Sequence, residues 1–161
     1  MVVLTIIVVL TTVILTSQSS FNKTLILANT AYDIALTIRS AESFGIGSRA
    51  SDGSTNAGYG LHFQKGNSFI LFTDTNSPNA SNCHGLPSSG DTAAPDAQFG
   101  NCVYDDSSEF KQTYTLNNGM TIQKLCINSS CAIGTLDIVF SRPNPDAFIS
   151  ADKSYSSGAS A

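Results

Sequence analysis

No charged side chain occurs before Lys23, and no glycine or proline before Gly45. Nothing in that opening stretch interrupts a helix. A basic n-region and an Ala-x-Ala-type cleavage site are both missing, so the start does not read as a cleaved signal peptide. Charged residues make up only 12% of the chain, about half the usual quarter. A net charge of −4 leaves no basic footprint, and so no case for nucleic-acid binding. Catalytic signatures are scarce as well. There is no G-x-S-x-G, H-E-x-x-H or C-x-x-C. Residues Gly45-Ile46-Gly47-Ser48-Arg49-Ala50 carry the letters G-x-G-x-x-A, but a helix is expected before them and a loop after, the reverse of a dinucleotide site. Ser20–Lys23 and Ser108–Lys111 each fit S-x-x-K without the S-D-N or K-T-G partner that such enzymes need. Neither an enzymatic activity nor a cofactor is expected.

What is present begins at Met1–Thr16, MVVLTIIVVLTTVILT, where 12 of 16 residues are apolar and the other four are threonine. Exposing those apolar side chains would cost up to roughly 20–30 kcal/mol, against a domain stability of about 5–15 kcal/mol. The segment therefore needs a bilayer, a subunit interface or a core around it. Its β-branched residues lean towards strand. Length and the demands of lipid favour a helix, and the threonine hydroxyls can bond carbonyls one turn back. A run of 16 residues falls short of the roughly 20 that span a bilayer, so the expectation is that the chain starts inside a longer apolar helix.

From Phe21 the pattern turns amphipathic. Phe21, Leu25, Ala28, Tyr32, Ala35 and Leu36 fall on one side of a helical wheel, widened by Leu27, Ala31, Ile34, Ile38 and Ala41. Asn22, Lys23, Asn29, Thr30, Asp33, Thr37 and Ser40 gather opposite. Gly45 is expected to stop the helix. Residues 1–44 thus read as one helix about 66 Å long, greasy at first and then equipped with a face for laying on a domain.

Residues 48–58 read as a polar linker, and β signals follow. Strands are expected at Tyr59–Lys65 and Ser68–Thr73, with Leu61 and Phe63 on one face and His62 turned to the surface. Asn117-Asn118-Gly119 between Phe110–Leu116 and Met120–Ile127 predicts a hairpin. Gly134–Ser141 is another strand, Ala147–Ile149 starts a short one, and 150–161 looks frayed. The loop 74–101 is long enough to need a staple or a function. Four cysteines suit an oxidising compartment and allow three pairings. Their spacing favours Cys83–Cys102 across the long loop and Cys126–Cys131 between two strands. His84 beside Cys83 raises a metal, but the cysteine spacings fit no zinc pattern. The sequons at Asn79 and Asn128 are read as chance.

An apolar N-terminal helix, an amphipathic continuation and a β-rich head with cysteines together resemble the type IV pilin and pseudopilin family. The likeness is carried by VVLTIIVVLTTVIL at 2–15, ALTIRSAESFGIGSR at 35–49, YGLHF at 59–63, FILFTD at 69–74 and LDIVFSRPNPDAF at 136–148. The basic leader, cleavage site, N-terminal aromatic and glutamate of such precursors are not in this chain, nor is a glycine or proline that loosens the helix.

The resemblance implies an α+β fold, with a long N-terminal helix (1–44) packed on a C-terminal antiparallel β-sheet head (45–161). It implies a structural subunit of a helical surface filament or pseudopilus, not an enzyme. Val2, Val3, Leu4, Ile6, Ile7, Val8, Val9, Leu10, Val13, Ile14 and Leu15 would form the assembly helix. Phe21, Leu25, Ala28, Tyr32, Ala35 and Leu36 would join helix to head, with Arg39 and Glu42 near the helix end fixing it. Implied partners are identical subunits, the inner membrane before assembly and the assembly machinery, with the finished filament extracellular. Some family members bind calcium in the head. Asp74, Asn76, Asp105 and Asp106 offer oxygen ligands, though no full loop signature surrounds them. Rival readings are a membrane-anchored monomeric binding domain and a minor tip subunit that primes assembly.

Overall fold

A computed structural model describes residues 1–47, 57–75, 100–105, 107–127, 129–141 and 144–157. Side chains at 15–20, 144–145 and 154–157 are outside the description. The chain divides into two compact units, Met1–Ala35 and Leu36–Ala161.

Helix α1 runs Val2–Ile46. Thr5, Thr11, Thr12 and Thr30 are satisfied within the helix, as an apolar setting demands. Thr5 Oγ1 donates to the Met1 carbonyl at 3.1 Å, and Thr12 Oγ1 to that of Val8 at 2.8 Å. The expected fold, a long helix packed on the head as one body, is corrected: the chain divides at Ala35, inside that helix, into two units. Phe21, Leu25, Ala28, Tyr32, Ala35 and Leu36 are exposed. Described side chains cover 2–14 and 21–46, and the first fully buried one is Ala41. What remains of the expected class is α+β with an antiparallel sheet. Only the last helical turns supply buried positions, at Ala41 and Gly45. Gly45 is not the terminator expected of it. It lies inside the helix, where a Cβ would collide with the Phe140 backbone carbonyl, so it permits a close helix–strand approach. Phe44 packs edge-on against Tyr59 beside it, with ring centroids 5.6 Å apart.

Eight strands follow: β1 (Gly58–Gln64), β2 (Ser68–Asp74), β3 (Phe110–Thr115), β4 (Leu125–Ile127), β5 (Ser130–Ile133), β6 (Thr135–Ser141), β7 (Asn144–Ala151) and β8 (Ser154–Ser157). Six form an antiparallel sheet in the order β3-β2-β1-β6-β7-β8, and β4 pairs with β5 separately. The predicted hairpin is half there. Asn118 and Gly119 both have positive φ, and Met120 N–H bonds the Asn117 carbonyl at 3.1 Å, as a tight turn requires. The chain beyond it does not return along β3. Ile122 instead bridges Gly66 through two backbone bonds of 2.6 and 3.1 Å. The segment expected to fray contains β8 and the Asp152-Lys153 turn, where both residues have positive φ.

Register assigns the two faces of the sheet. Tyr59, Leu61 and Phe63 share one face with Phe69, Leu71 and Phe140. Gly60 and His62 share the other with Phe72, Asp137, Val139, Phe148 and Ser150. Residues 57–63 are buried without interruption, so β1 is covered on both sides. On the second face Phe72, Cys102, Val139 and Phe148 make a core cluster, with Ile70 and Tyr104 against it.

Candidate functional site

Two features have the chemistry to act. The first is the surface of α1. Every described side chain from Met1 to Ile14 is exposed, including Val2 at 74% and Ile7 at 53%. Leu25, Leu27 and Tyr32 prolong that exposed apolar surface beyond the charge-free stretch, at 46%, 59% and 72%. All the residues expected to form the assembly helix are exposed, save Leu15, whose side chain is outside the description. Among the described residues, no helix is long and apolar enough to cross a membrane. Arg39 is exposed and Glu42 half-buried on the last turns of α1.

The second feature is a polar system buried against the second face of the sheet. His62 is not the surface residue its alternation suggested; it is buried. Its Nδ1 lies 2.6 Å from Oδ1 of Asp137, directly opposite it on β6. With Asp137 ionised, Nδ1–H donates this bond; with Asp137 protonated, its O–H donates to Nδ1. The imidazole packs on Tyr104, centroids 5.0 Å apart, which closes it off from that side. Burial pushes the Asp137 carboxyl above its usual range, and the His62 bond and charge pull it back in part. Among the described residues, Asp137 Oδ2 and Ser150 Oγ are buried without a hydrogen-bond partner. Ser150 faces Asp137 across β6 and β7.

Beside this pair, Asp74 at the end of β2 holds the returning chain. Its Oδ1 accepts the Asn101 N–H at 2.8 Å and its Oδ2 the Cys102 N–H at 2.7 Å. Gly100 has to be glycine here, because a Cβ would sit 2.6 Å from Oδ2 and φ is +145°. Burial pushes the Asp74 carboxyl well up. The two N–H bonds oppose this, and the nearby carboxylates of Glu109 and Asp105 add to it. Glu109, wholly buried, accepts from Thr75 N–H at 3.1 Å and Asp105 N–H at 3.0 Å. Asn101 closes the segment on itself, donating to Asp105 at 2.5 Å and accepting from Val103 N–H at 3.1 Å. Lys153 reaches Asp105 from the far turn at 3.6 Å, in a mostly exposed contact.

These carboxylates are therefore engaged as clamps on backbone N–H groups. Of the calcium candidates, Asp74 and Asp105 are brought near each other, while Asn76 and Asp106 lie outside the described residues. Among the described residues no three His, Cys, Asp or Glu side chains are grouped to hold a metal ion. Cys126 is bonded to Cys131. Cys102 is also disulfide-bonded, and Cys83, with the rest of 76–99, lies outside the described residues, as do the linker 48–56 and Asn128. Sequence reasoning did not single out Glu109, Asn101 or Asp137. Only Asp137 left a signal, an acid alone among the apolar residues of LDIVF at 136–140.

Comparisons with protein-family models, with curated proteins and with solved structures find no match.

Proposed function

We propose that this chain is a structural subunit of a thin helical filament at the cell surface, assembled through α1 in the manner of type IV pilins and pseudopilins. One observation carries the reading: the exposed apolar surface of α1 does not end where its charge-free stretch ends. Lys23 and Asp33 are costly to place in hydrocarbon, yet Leu25, Leu27 and Tyr32 between them are exposed. A plain bilayer anchor leaves those three in water, at about 1.5–3 kcal/mol each when fully exposed. Neighbouring copies of α1 cover both stretches at once. Before assembly the helix lies in the inner membrane, and the assembly machinery passes it into the filament, so the role is physical and not chemical. Each copy presents different surfaces to the copies above and below, and heterologous contacts that do not close generate an open helix.

Negative-stain microscopy of sheared native surface material tests this. Thin filaments containing the chain are expected. Dispersed monomers and no filaments would instead mark a membrane-anchored binding domain.

A further inference from the structure

We propose that Asn118 is a self-modification site, where the chain converts its own asparagine to aspartate and isoaspartate through a ring closed with Gly119. Asn118 is the only asparagine in the sequence followed by glycine. Both residues are exposed at the tip of their turn. A Cβ built on Gly119 would meet nothing within 4 Å, so no neighbouring element crowds its backbone nitrogen.

The fold leaves this turn free to open. In a regular hairpin the strands beyond such a turn lock it with a ladder of backbone bonds. Here β3 is an edge strand paired with β2, and the chain after the turn goes to Gly66. Leu116 N–H bonds the Asn67 carbonyl at 2.7 Å, and Ile122 bridges Gly66. Residues 116–122 are thus a strap tied at both ends to the turn between β1 and β2. Between the ties, among the described residues, the backbone bond is Met120 N–H to the Asn117 carbonyl. A segment held this lightly opens locally without global unfolding.

The chemistry needs water and no cofactor. In the open turn the Gly119 nitrogen attacks Asn118 Cγ. The N–Cγ bond forms, the Cγ–Nδ2 bond breaks, and ammonia leaves with the former amide proton, so the product is a cyclic imide. Water then adds to one of the two imide carbonyl carbons. Cleavage of the N–Cγ bond gives aspartate. Cleavage of the bond to the main-chain carbonyl gives isoaspartate, whose main chain runs through Cβ and Cγ. A side chain at position 119 would crowd the attacking nitrogen, which glycine does not. Either product adds one negative charge to the net −4. The iso form also adds a carbon to the main chain of a strap fixed at both ends, which breaks the Met120–Asn117 bond and loosens Ile122 from Gly66. The conversion runs one way, so it records the time since synthesis, and it is independent of how the chain assembles.

The test follows the purified full chain in mildly alkaline buffer over weeks. The tryptic peptide 112–124 is mapped by mass spectrometry, with the same peptide made synthetically as the unfolded reference. Asn118 is expected to gain about one mass unit before any other asparagine, mostly as isoaspartate. Its rate is expected to lie within about tenfold of the synthetic peptide's. Gly119→Ala is expected to slow the conversion at least about tenfold, and Asn118→Gln to abolish it at that position. Amide exchange at Ile122 is expected to quicken in the converted chain, separated by its extra charge. An Asn118 that stays intact in the folded chain while the synthetic peptide converts would overturn the proposal, as would another asparagine converting first. Gly119→Ala converting as fast as wild type would overturn the ring closure with Gly119, and unchanged exchange at Ile122 would overturn the loosening of the strap.

Discussion

His62 and Asp137 meet across β1 and β6 with 2.6 Å between Nδ1 and Oδ1, and both are buried. Removing the imidazole leaves a buried carboxyl beside an empty space. His62→Ala is expected to lose about 3–5 kcal/mol, as when one partner of a buried pair is deleted. A surface histidine would cost within about 0.5 kcal/mol. The midpoint of urea unfolding of the full chain separates these outcomes.

The buried carboxyls of Asp74 and Asp137 predict a pH dependence of definite sign. Both hold protons more tightly folded than unfolded. Between the ordinary aspartate value of ~3.9 and their raised values, the folded chain therefore carries the extra protons. Their contribution to stability falls as pH rises through that interval. It recovers as pH is lowered, until the unfolded carboxyls protonate too. Asp137→Asn keeps an acceptor for His62, and is expected to flatten the pH dependence of the unfolding midpoint. A slope unchanged from wild type would contradict this.

Gly60 is packed under the Phe72 ring, where a Cβ would lie 2.7 Å from a ring carbon and 2.8 Å from a Val139 methyl. Gly60→Ala is expected to cost about 1–3 kcal/mol by overpacking. Thermal unfolding of the variant reads this directly, and a midpoint equal to wild type would show that the cluster around Phe72 gives way.

Much of the sheet was legible. β1, β2 and β6 begin and end within a residue of where alternation put them, because apolar-polar alternation tracks a pleat. Asn117–Gly119 forms its turn because positive φ at Asn118 and Gly119 is a local property. What the strands do after that turn is not local, so pairing of Ile122 with Gly66 in place of β3 could not be read. His62 failed for a related reason. Alternation gives the side of the sheet but not what covers it, and the cover comes from Cys102–Tyr104, some 40 positions on. Register did hold the missing clue, since a lone histidine and a lone acid in two strands meet only if those strands are neighbours. The helix is a different case: periodicity shows that an apolar face exists at 21–36 and says nothing about its partner.

A charge placed on the apolar helix separates assembly from folding. Ile7→Asp puts a carboxylate on a surface that is 53% exposed in the single chain. Head stability is expected to stay within about 0.5 kcal/mol of wild type. Filament yield is expected to fall sharply, because a buried unpaired charge is strongly disfavoured in an interface. Loss of head stability in parallel with loss of filaments would mean that Ile7 serves folding.

Helical reconstruction of native filaments tests the central claim most directly. The account predicts the apolar side chains of Val2–Ile14 and of Phe21–Tyr32 buried between copies at the filament axis, with the sheets outside. A filament joined through its sheets, with those helices out of mutual contact, would contradict it.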